Sequence, residues 1–414
     1  MTKYRIIGNM TGNSMDAIDL VLTEFENDKM RDICSFSCPY DHDMQHKMAD
    51  LRNQCQHKVK DEILALPQFA PIHDEYVTQI AESIKIMLQK NHIQLHTIDA
   101  IGFHGKTLDH NPPSKSDHPY TLQIGSGQML ADLTGIKVVY DFRSDYILNG
   151  FEGAPLVSPH NAHIAAQEGD GCYYNGGNTS NFALIQNKQA ILGSDAGPCN
   201  EYIDAYMRQY MNMTFDQDGK IGQGGTINNK LLQKLFEFGR EFYEKKLPKS
   251  GDPAFYQKEK IFTYLQKLPL PQADIVRTLE YFAAYIAAYT LTLIPENIEL
   301  GSHFILFGGG WKNPLIRQDF TNLLHHQGDV LPEHREKFSR LASRTKKSPK
   351  VHVSAFGDYM EARLMADMAY YRLQNQIWPL PEVIKSKTPI ISGIIAEPML
   401  NRKCYTDKIN RAAQ

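Results

Sequence analysis

The chain has 414 residues, of which 42% are hydrophobic and 22% are charged. This balance is typical of a folded globular protein and excludes a largely disordered chain, while the length favours two lobes over one core. The formal net charge of −3 excludes a strongly basic chain that would be drawn as a whole to nucleic acid or to an anionic membrane.

Cysteine usage and hydropathy give two further expectations. The six cysteines are Cys34, Cys38, Cys55, Cys172, Cys199 and Cys404. Their spacing matches no zinc ribbon or redox pair, so we expect free thiols in a reducing compartment. The first residues form no apolar signal-peptide core, and no later run of 18 apolar residues could span a bilayer. The expected location is the cytoplasm.

Strand and helix patterns alternate along the chain, which favours a layered α/β architecture. The predicted elements are, in chain order, strands Tyr4–Ile7 and Ala17–Phe25, helix Asp74–Lys90, strands Ile98–Phe103 and Ile136–Tyr140, a hairpin of Cys172–Tyr174 with Phe182–Ile185, helices Asn200–Tyr210 and Asp274–Ile294, strand Phe304–Phe307, helix Tyr359–Gln374 and strand Ile390–Ala396.

A strand, a glycine-containing turn and a second strand occur twice, near residues 4–25 and 172–185, and a third glycine-rich loop follows strand 304–307. Glycine lets backbone amides approach a phosphate closely, and consecutive N–H groups can form an anion-binding nest. We expect one lobe at 1–168 and the other at 169–388, with 389–414 returning to the first lobe. A substrate would then bind in the cleft between the lobes.

The first glycine-containing turn lies within Gly8–Asp19 and combines amides and hydroxyls with the carboxylates of Asp16 and Asp19. Amides and hydroxyls can bind phosphate oxygens, and a carboxylate can hold Mg²⁺ directly or through water. On its residues alone, the segment is equally an ordinary polar β-turn.

Three later motifs are also ambiguous on their residues alone. Asp195 opens Asp-Ala-Gly-Pro, in which the aspartate is typically a turn residue or a helix cap ahead of helix Asn200–Tyr210. The segment Asn175–Asn181 is typical of a hairpin turn. The glycines Gly308–Gly310 are a weak signal by themselves.

Several short motifs in a fixed order are more specific than any one of them. They are Gly8–Asp19, Gly102–Thr107, Thr121–Gly125, Asp141–Arg143, Gly153–Val157, Asn175–Asn181, Asp195–Asn200, Leu247–Gly251, Gly308–Pro314 and Glu361–Ala362. In this order they resemble the anhydro-N-acetylmuramic acid kinases of the actin/hexokinase/Hsp70-like ATPase superfamily. The resemblance implies an α/β protein with a two-lobed actin-like, ribonuclease-H-like fold and an active site in the interdomain cleft.

The resemblance also implies roles for individual residues. Asp195 would be the catalytic base, Glu361 would interact with Mg²⁺, and His104, Lys106 and Arg143 would bind the sugar. The implied substrates are ATP, with Mg²⁺, and 1,6-anhydro-N-acetylmuramic acid, which would become N-acetylmuramic acid 6-phosphate in cell-wall recycling. The implied ATP-binding residues are Gly12, Asn13, Ser14, Met15, Asp16, Asp19, Asn175, Gly176, Gly177, Asn178, Gly308, Gly309 and Gly310.

Plainer roles stay open for some of these residues. His104 could be a satisfied turn or core histidine, and Glu361 a solvated helix residue. Lys249 and Ser250 lie in a polar segment that is either a mobile lid or a solvated loop. Lys106 stands where the family usually has Gln, and a lysine donates hydrogen bonds without accepting any.

Three alternatives to the leading function also stay open. The chain could phosphorylate levoglucosan, which is a 1,6-anhydro sugar without the lactyl and acetamido groups. It could instead be a nucleotide-dependent binding or chaperone-like protein, or a catalytically silent member of the fold. The expected partner is a small-molecule sugar, with no nucleic acid and no membrane, and a homodimer stays open.

Overall fold

The computed structural model describes residues 3–12, 17–27, 29–154, 156–251, 253–345, 348–354, 356–380 and 390–399. The strands are β1 Lys3–Thr11, β2 Ala17–Glu26, β3 Lys29–Pro39, β4 Ala100–Phe103, β5 Lys106–Asn111, β6 Tyr120–Ile124, β7 Val138–Tyr140, β8 Gly171–Gly176, β9 Thr179–Gln186, β10 Gln189–Pro198, β11 His303–Phe307, β12 Lys350–Val353 and β13 Ile394–Ala396.

The α-helices alternate with these strands. They are α1 His42–Cys55, α2 Lys60–Leu64, α3 Phe69–Lys90, α4 Gly127–Thr134, α5 Ser144–Leu148, α6 Ser158–Glu168, α7 Asn200–Met211, α8 Asn229–Tyr243, α9 Lys258–Leu265, α10 Gln272–Leu291, α11 Pro314–Leu324, α12 Arg335–Arg344 and α13 Met360–Leu373. Short 3₁₀ turns are at Leu95–Thr97, Gln217–Gly219, Gly222–Gly224, Pro253–Tyr256, Gly309–Lys312 and Pro332–His334.

The chain divides into two compact units. Unit 1 holds the described residues of Met1–His160, Tyr359–Leu380 and Ile384–Gln414, and unit 2 holds those of Asn161–Asp358. This division differs from the expected lobes in two segments. Residues 161–168 were assigned by sequence to the first lobe and belong to unit 2, and 359–380 was assigned to the second lobe and belongs to unit 1.

Unit 1 contains a six-stranded sheet in the order β13-β7-β4-β1-β2-β3. β1, β2 and β3 are antiparallel neighbours, whereas β4 pairs parallel to β1 and β7 parallel to β4. β13 adds to β7 in antiparallel register, so the predicted terminal strand joins this sheet. A separate two-stranded sheet is formed by β5 and β6.

Unit 2 repeats the same arrangement in its sheet, whose order is β10-β9-β8-β11-β12. Here β8, β9 and β10 are antiparallel neighbours, while β11 pairs parallel to β8 and β12 parallel to β11. Three antiparallel strands followed by two parallel ones, in the same order in both units, is the ribonuclease-H-like arrangement that the motifs implied. The predicted fold class is confirmed.

Helix α13 belongs to unit 1 because two glycines let its backbone approach the sheet. A Cβ atom added to Gly8 of β1 would lie 1.8 Å from the Ala362 carbonyl oxygen, and one added to Gly102 of β4 would lie 2.1 Å from that of Met365. No side chain fits at either position. The contact fixes the first turn of α13, which carries Glu361, against β1 and β4.

Each unit has its own apolar core. In unit 1, the core joins sheet residues such as Ile7 and Ile101 to helix α3. In unit 2, it surrounds α10, whose side chains are almost all buried from Ile275 to Leu291. The prediction of a buried helix at 274–294 is therefore confirmed.

The described cysteines, which exclude Cys404, are free thiols, as expected from their spacing. Within the described ranges, no helix combines the length and the apolar character needed to cross a membrane.

Candidate active site

Asp195 lies within strand β10 rather than in a turn. It pairs opposite Asn181 of β9, and a register shift follows between Asp195 and Gly197. The local sequence favoured a turn because of Gly197-Pro198, but pairing with β9 keeps the chain extended through Pro198. The predicted helix does begin directly afterwards, at Asn200.

The Asp195 carboxyl group has one oxygen fixed by the backbone. The Gly251 N–H donates to Asp195 Oδ2 at 2.7 Å. In the described part of the chain, Oδ1 accepts no hydrogen bond, and the side chain is partly exposed. Burial raises the pKa of Asp195 to about 6, while the Gly251 N–H and the charge of Lys249 act in the opposite direction. A carboxylate with one held oxygen, one open oxygen and a pKa near neutrality is suited to general base catalysis.

Lys249 is buried, with 4% of its surface exposed, so its side chain is not solvated as a surface loop would be, whereas the neighbouring Ser250 is exposed. Its Nζ donates to the carbonyl oxygens of Phe242 at 3.2 Å and Tyr243 at 2.8 Å. Burial lowers the pKa of Lys249 to about 7, although the Asp195 carboxylate opposes that change. The Asp195 N–H in turn donates to the Lys249 carbonyl oxygen at 2.9 Å.

Two of the predicted phosphate loops meet in unit 2. A two-residue turn, Gly177–Asn178, joins β8 to β9, as the hairpin prediction required. Gly308 follows β11 with φ +94°, and a Cβ atom added to it would lie 2.5 Å from Asn175 Oδ1 and 2.9 Å from the Gly176 carbonyl oxygen. An added Cβ on Gly310 would lie 3.1 Å from the same carbonyl oxygen. The two loops can approach this closely only because these residues have no side chain.

A pocket of about 390 Å³ lies beside these loops. Its lining includes Gly309, Asn200 at the start of α7, Asp216 and Asn313. Lys312 also lines it and forms an ion pair with Asp358 at 2.7 Å. The apolar side chains of Ile203 and Phe215 complete the lining, so the pocket combines loop backbone, polar groups and apolar surface.

In unit 1, His104 and Arg143 form a hydrogen-bonded pair. Arg143 Nε donates to His104 Nε2 at 3.0 Å, and His104 Nδ1 lies 2.8 Å from the Gly105 carbonyl oxygen. The ring is therefore neutral and carries its proton on Nδ1. Burial and the neighbouring guanidinium lower the pKa of His104 to about 3. Arg143 Nη1 also donates to the Gly153 carbonyl oxygen at 2.6 Å, which fixes the plane of the guanidinium.

Lys106 is 2% exposed, and its Nζ donates to the Gly12 carbonyl oxygen at 3.0 Å. Gly12 ends the described part of the first glycine-containing segment, so the contact links Lys106 to the predicted phosphate loop of unit 1. Burial lowers the pKa of Lys106 to about 8, with Arg52 acting in the same direction and Glu361 in the other.

Glu361 lies in the first turn of α13 and is exposed to solvent. Its pKa is raised, first because surrounding protein displaces water and next because of the Asp19 carboxylate, while Arg143 and Lys106 oppose the change. Asp19 Oδ1 accepts a hydrogen bond from Ser37 Oγ at 2.8 Å. Two neighbouring carboxylates repel each other, and a cation bound between them would relieve that repulsion. Mg²⁺ in proteins is typically bound by only one or two carboxylates. Among the described residues, no group of three or more His, Cys, Asp or Glu forms a metal cluster.

A family model described as "Anhydro-N-acetylmuramic acid kinase" matches residues 4–396. The chain belongs to this family. Kinases of that name from Actinobacillus pleuropneumoniae serotype 7 (strain AP76) and Vibrio vulnificus (strain YJ016) are each 29% identical to the chain. The first match covers 95% of this chain and 99% of the relative, and the second covers 95% and 98%.

A solved structure that resembles the chain is component A of the Acidaminococcus fermentans (R)-2-hydroxyglutaryl-CoA dehydratase. It is 11% identical, with a TM-score of 0.43, and the match covers 88% of this chain and 96% of that one.

The structure brings together, within each unit, several residues that the resemblance to the anhydro-N-acetylmuramic acid kinase family singled out. Unit 1 holds His104 with Arg143, Lys106 with Gly12, and Glu361 within electrostatic reach of Asp19. Unit 2 holds Asp195 and the loops of Asn175–Asn178 and Gly308–Gly310. Asn13, Ser14, Met15 and Asp16 lie outside the described residues.

Sequence reasoning missed two contributors to the site of this family member. Gly251 was recognised only as part of a polar motif, and its N–H is the hydrogen-bond donor to Asp195. Asp216, which lines the pocket beside Gly309, was not singled out. The sequence Pro-Lys-Ser-Gly at 248–251 could have indicated a role for Gly251. No motif in the sequence surrounds Asp216, so nothing there indicated a role for it.

Proposed function

We propose that the protein is an ATP- and Mg²⁺-dependent kinase that opens 1,6-anhydro-N-acetylmuramic acid and phosphorylates its O6, giving N-acetylmuramic acid 6-phosphate. Family membership over residues 4–396 supports this substrate over levoglucosan. The observation that carries the proposed chemistry is the Asp195 carboxyl group, which has Oδ2 held by Gly251 and a raised pKa. The reaction would take place in the cytoplasm, where ATP is supplied, and would serve cell-wall recycling.

The reaction balances with Asp195 as the only protein base. Asp195 accepts a proton from a water molecule as the water oxygen bonds to C1 of the sugar. The C1–O6 bond breaks, and O6 bonds to the γ-phosphorus of ATP while the bond to the ADP oxygen breaks. Asp195 then returns its proton to solvent. A carboxyl pKa near 6 keeps Asp195 ionised at neutral pH and still basic enough to accept the proton.

ATP would be held by backbone groups of the glycine loops. Amides of Asn175–Asn178 would face the β- and γ-phosphates, and the pocket beside Gly309 would take the adenosine. Asn13, Ser14, Met15 and Asp16, which lie outside the described residues, would complete the phosphate contacts, as the resemblance implies. Backbone N–H groups suit this task because they bind anions without adding a side chain.

Glu361 and Asp19 would hold Mg²⁺. Their negative charges repel each other, and a bound cation would offset that repulsion. When bound, Mg²⁺ neutralises charge on the transferring phosphoryl group. Arg143 and Lys106 oppose the rise in the pKa of Glu361 and so favour its ionised form.

The sugar would be bound by Arg143 and Lys106, and His104 would act through Arg143, because both of its ring nitrogens are engaged. Nε and Nη1 of Arg143 are engaged by His104 and Gly153, and in the described part of the chain Nη2 donates to no group. Nη2 would therefore bind the lactyl carboxylate, for which a fixed guanidinium is well suited. Levoglucosan has no such carboxylate, so this contact favours the muramic acid substrate.

The test is ADP release from Mg-ATP with a panel of 1,6-anhydro and ordinary hexoses. The proposal expects 1,6-anhydro-N-acetylmuramic acid to stimulate ADP release most strongly, with ordinary hexoses near the blank. Stimulation by levoglucosan alone would contradict the substrate. Sugar-independent turnover would favour a nucleotide-dependent binding protein, and ATP binding without turnover would favour a silent member of the fold.

A further inference from the structure

The segment Lys249–Gly251 is hydrogen-bonded along the outer side of β10, which is an edge strand of the unit 2 sheet. The Lys249 N–H donates to Ser194 Oγ at 2.9 Å, the Asp195 N–H donates to the Lys249 carbonyl oxygen at 2.9 Å, and the Gly251 N–H donates to Asp195 Oδ2 at 2.7 Å. The position of the Gly251 N–H therefore depends on how firmly this segment is held to Ser194 and Asp195.

The Lys249 side chain attaches the same segment to the end of helix α8. Its Nζ binds the last two carbonyl oxygens of α8, those of Phe242 and Tyr243, and lies 4.7 Å from the centre of the Phe242 ring. A cation at a helix C-terminus is stabilised by the unpaired carbonyls there. A buried ammonium group is costly unless it has such partners, so these contacts fix Lys249 in place.

The charged groups that face Lys249 and Asp195 are few. Lys249 is affected by the Asp195 carboxylate, which favours its charge, and by Lys245, which opposes it. Asp195 is affected by Lys249 and by the Gly251 N–H, and its charge acts in turn on the Tyr256 phenol. Lys249 is thus the charged group that favours the ionised form of Asp195, in addition to the Gly251 N–H.

We propose that Lys249 is a positioning residue for Asp195: its ammonium group, bound to the end of α8, holds the Gly251 N–H on Oδ2 and leaves Oδ1 to accept the proton from the reacting water. This inference rests on the proposed function of Asp195. It adds that a second, buried residue sets both the orientation and the ionisation of that carboxylate.

The test compares Lys249→Met, Lys249→Arg and Ser194→Ala with the unmodified protein in pH profiles of kcat and kcat/KM. Lys249→Met should lower kcat roughly 10–100-fold, which is less than the 10²–10⁴-fold that a general base typically contributes, because the base is misplaced and not removed. It should also shift the acid limb of the kcat/KM profile to higher pH by roughly one pH unit. An adjacent cation lowers a carboxyl pKa by about one unit or more, so its removal should raise the pKa of Asp195. KM for ATP should stay unchanged.

Lys249→Arg keeps the positive charge, so its acid limb should stay near that of the unmodified protein. Ser194→Ala removes a hydrogen bond to the segment and keeps the cation, so it should lower kcat without moving the acid limb. Lys246→Met is the matched control, because this lysine is exposed. It should change neither kcat nor the pH of the acid limb.

Two results would overturn the inference. One is a Lys249→Met protein with normal kcat and a normal acid limb, and the other is a Ser194→Ala protein with normal kcat. If Lys249→Met does not fold, a Lys249→Arg protein whose acid limb lies about one pH unit higher would overturn the inference, as would the Ser194→Ala result. Failure of the proposed function is distinguishable, because the unmodified protein would then show no ADP release with any 1,6-anhydro sugar.

Discussion

Asp195 in unit 2 and Glu361 in unit 1 are both carboxyl groups with a raised pKa, but their surroundings differ. Asp195 has no acidic neighbour among the groups that shift its pKa, and it is held by one backbone N–H and one buried lysine. Glu361 is exposed and lies within the influence of Asp19, Arg143 and Lys106. A carboxylate without an acidic neighbour is suited to accepting a proton, whereas a carboxylate near a second one is suited to holding a cation.

The largest expected effect comes from Asp195→Asn, which removes the base and keeps the size of the side chain. We expect kcat to fall on the order of 10³-fold, within the range for loss of a general base. The dissociation constant of ATP, measured by calorimetry, should stay unchanged because the amides of the glycine loops are untouched. Near-normal turnover would exclude Asp195 as the base.

The next effect concerns the packing that places Glu361. Gly8→Ala puts a Cβ atom where the Ala362 carbonyl oxygen lies, so α13 must shift away from β1. We expect a loss of about 3 kcal/mol in the free energy of unfolding, as for an overpacked core, measured by urea denaturation. Gly224→Ala is the control, since a Cβ atom there meets nothing within 4 Å. Equal stability of the two variants would contradict the close approach of α13.

Glu361→Gln should affect the metal and leave the base intact. We expect the Mg²⁺ concentration for half-maximal activity to rise roughly tenfold, because affinity for a divalent cation depends on the number of charged ligands. High Mg²⁺ should restore much of kcat, a recovery that Asp195→Asn should not show. An unchanged Mg²⁺ dependence would remove Glu361 from the metal site.

The smallest expected effect is the pH dependence of the unmodified protein. A base acts only when ionised, and burial raises the pKa of Asp195 to about 6. Activity should therefore be lost as the pH falls through about 6, approaching a tenfold loss per unit below it. An acid limb near pH 4, the usual range for aspartate, would show that the base is another, unburied carboxylate.

The parts of the fold that depend on local signals were predicted from the sequence. The hairpin of β8 and β9 follows from the glycine turn at Gly177, and α10 follows from its continuous apolar stretch. The close approach of α13 was not predictable, since Gly8 meets a backbone more than 350 positions away in the sequence.

In the candidate site, too, contacts between residues far apart in the sequence were not predictable. Asp195 lies in a turn-forming motif, yet pairing with Asn181 and with Lys249, 54 positions later, keeps it in a strand. Lys249 does lie in a loop, but its burial was not predictable because it depends on the end of α8 and on β10. Such contacts are set by tertiary packing and leave no local pattern.

The most direct measurement of the central claim uses 1,6-anhydro-N-acetylmuramic acid labelled with ¹⁸O in its bridge oxygen. After turnover with Mg-ATP, the account predicts that the label is retained as the ester oxygen between C6 and phosphorus, detected as an isotope shift in the ³¹P spectrum. A product without that shift would show that the bridge was not cleaved at C1 or that its oxygen was not the phosphoryl acceptor, and either result would contradict the account.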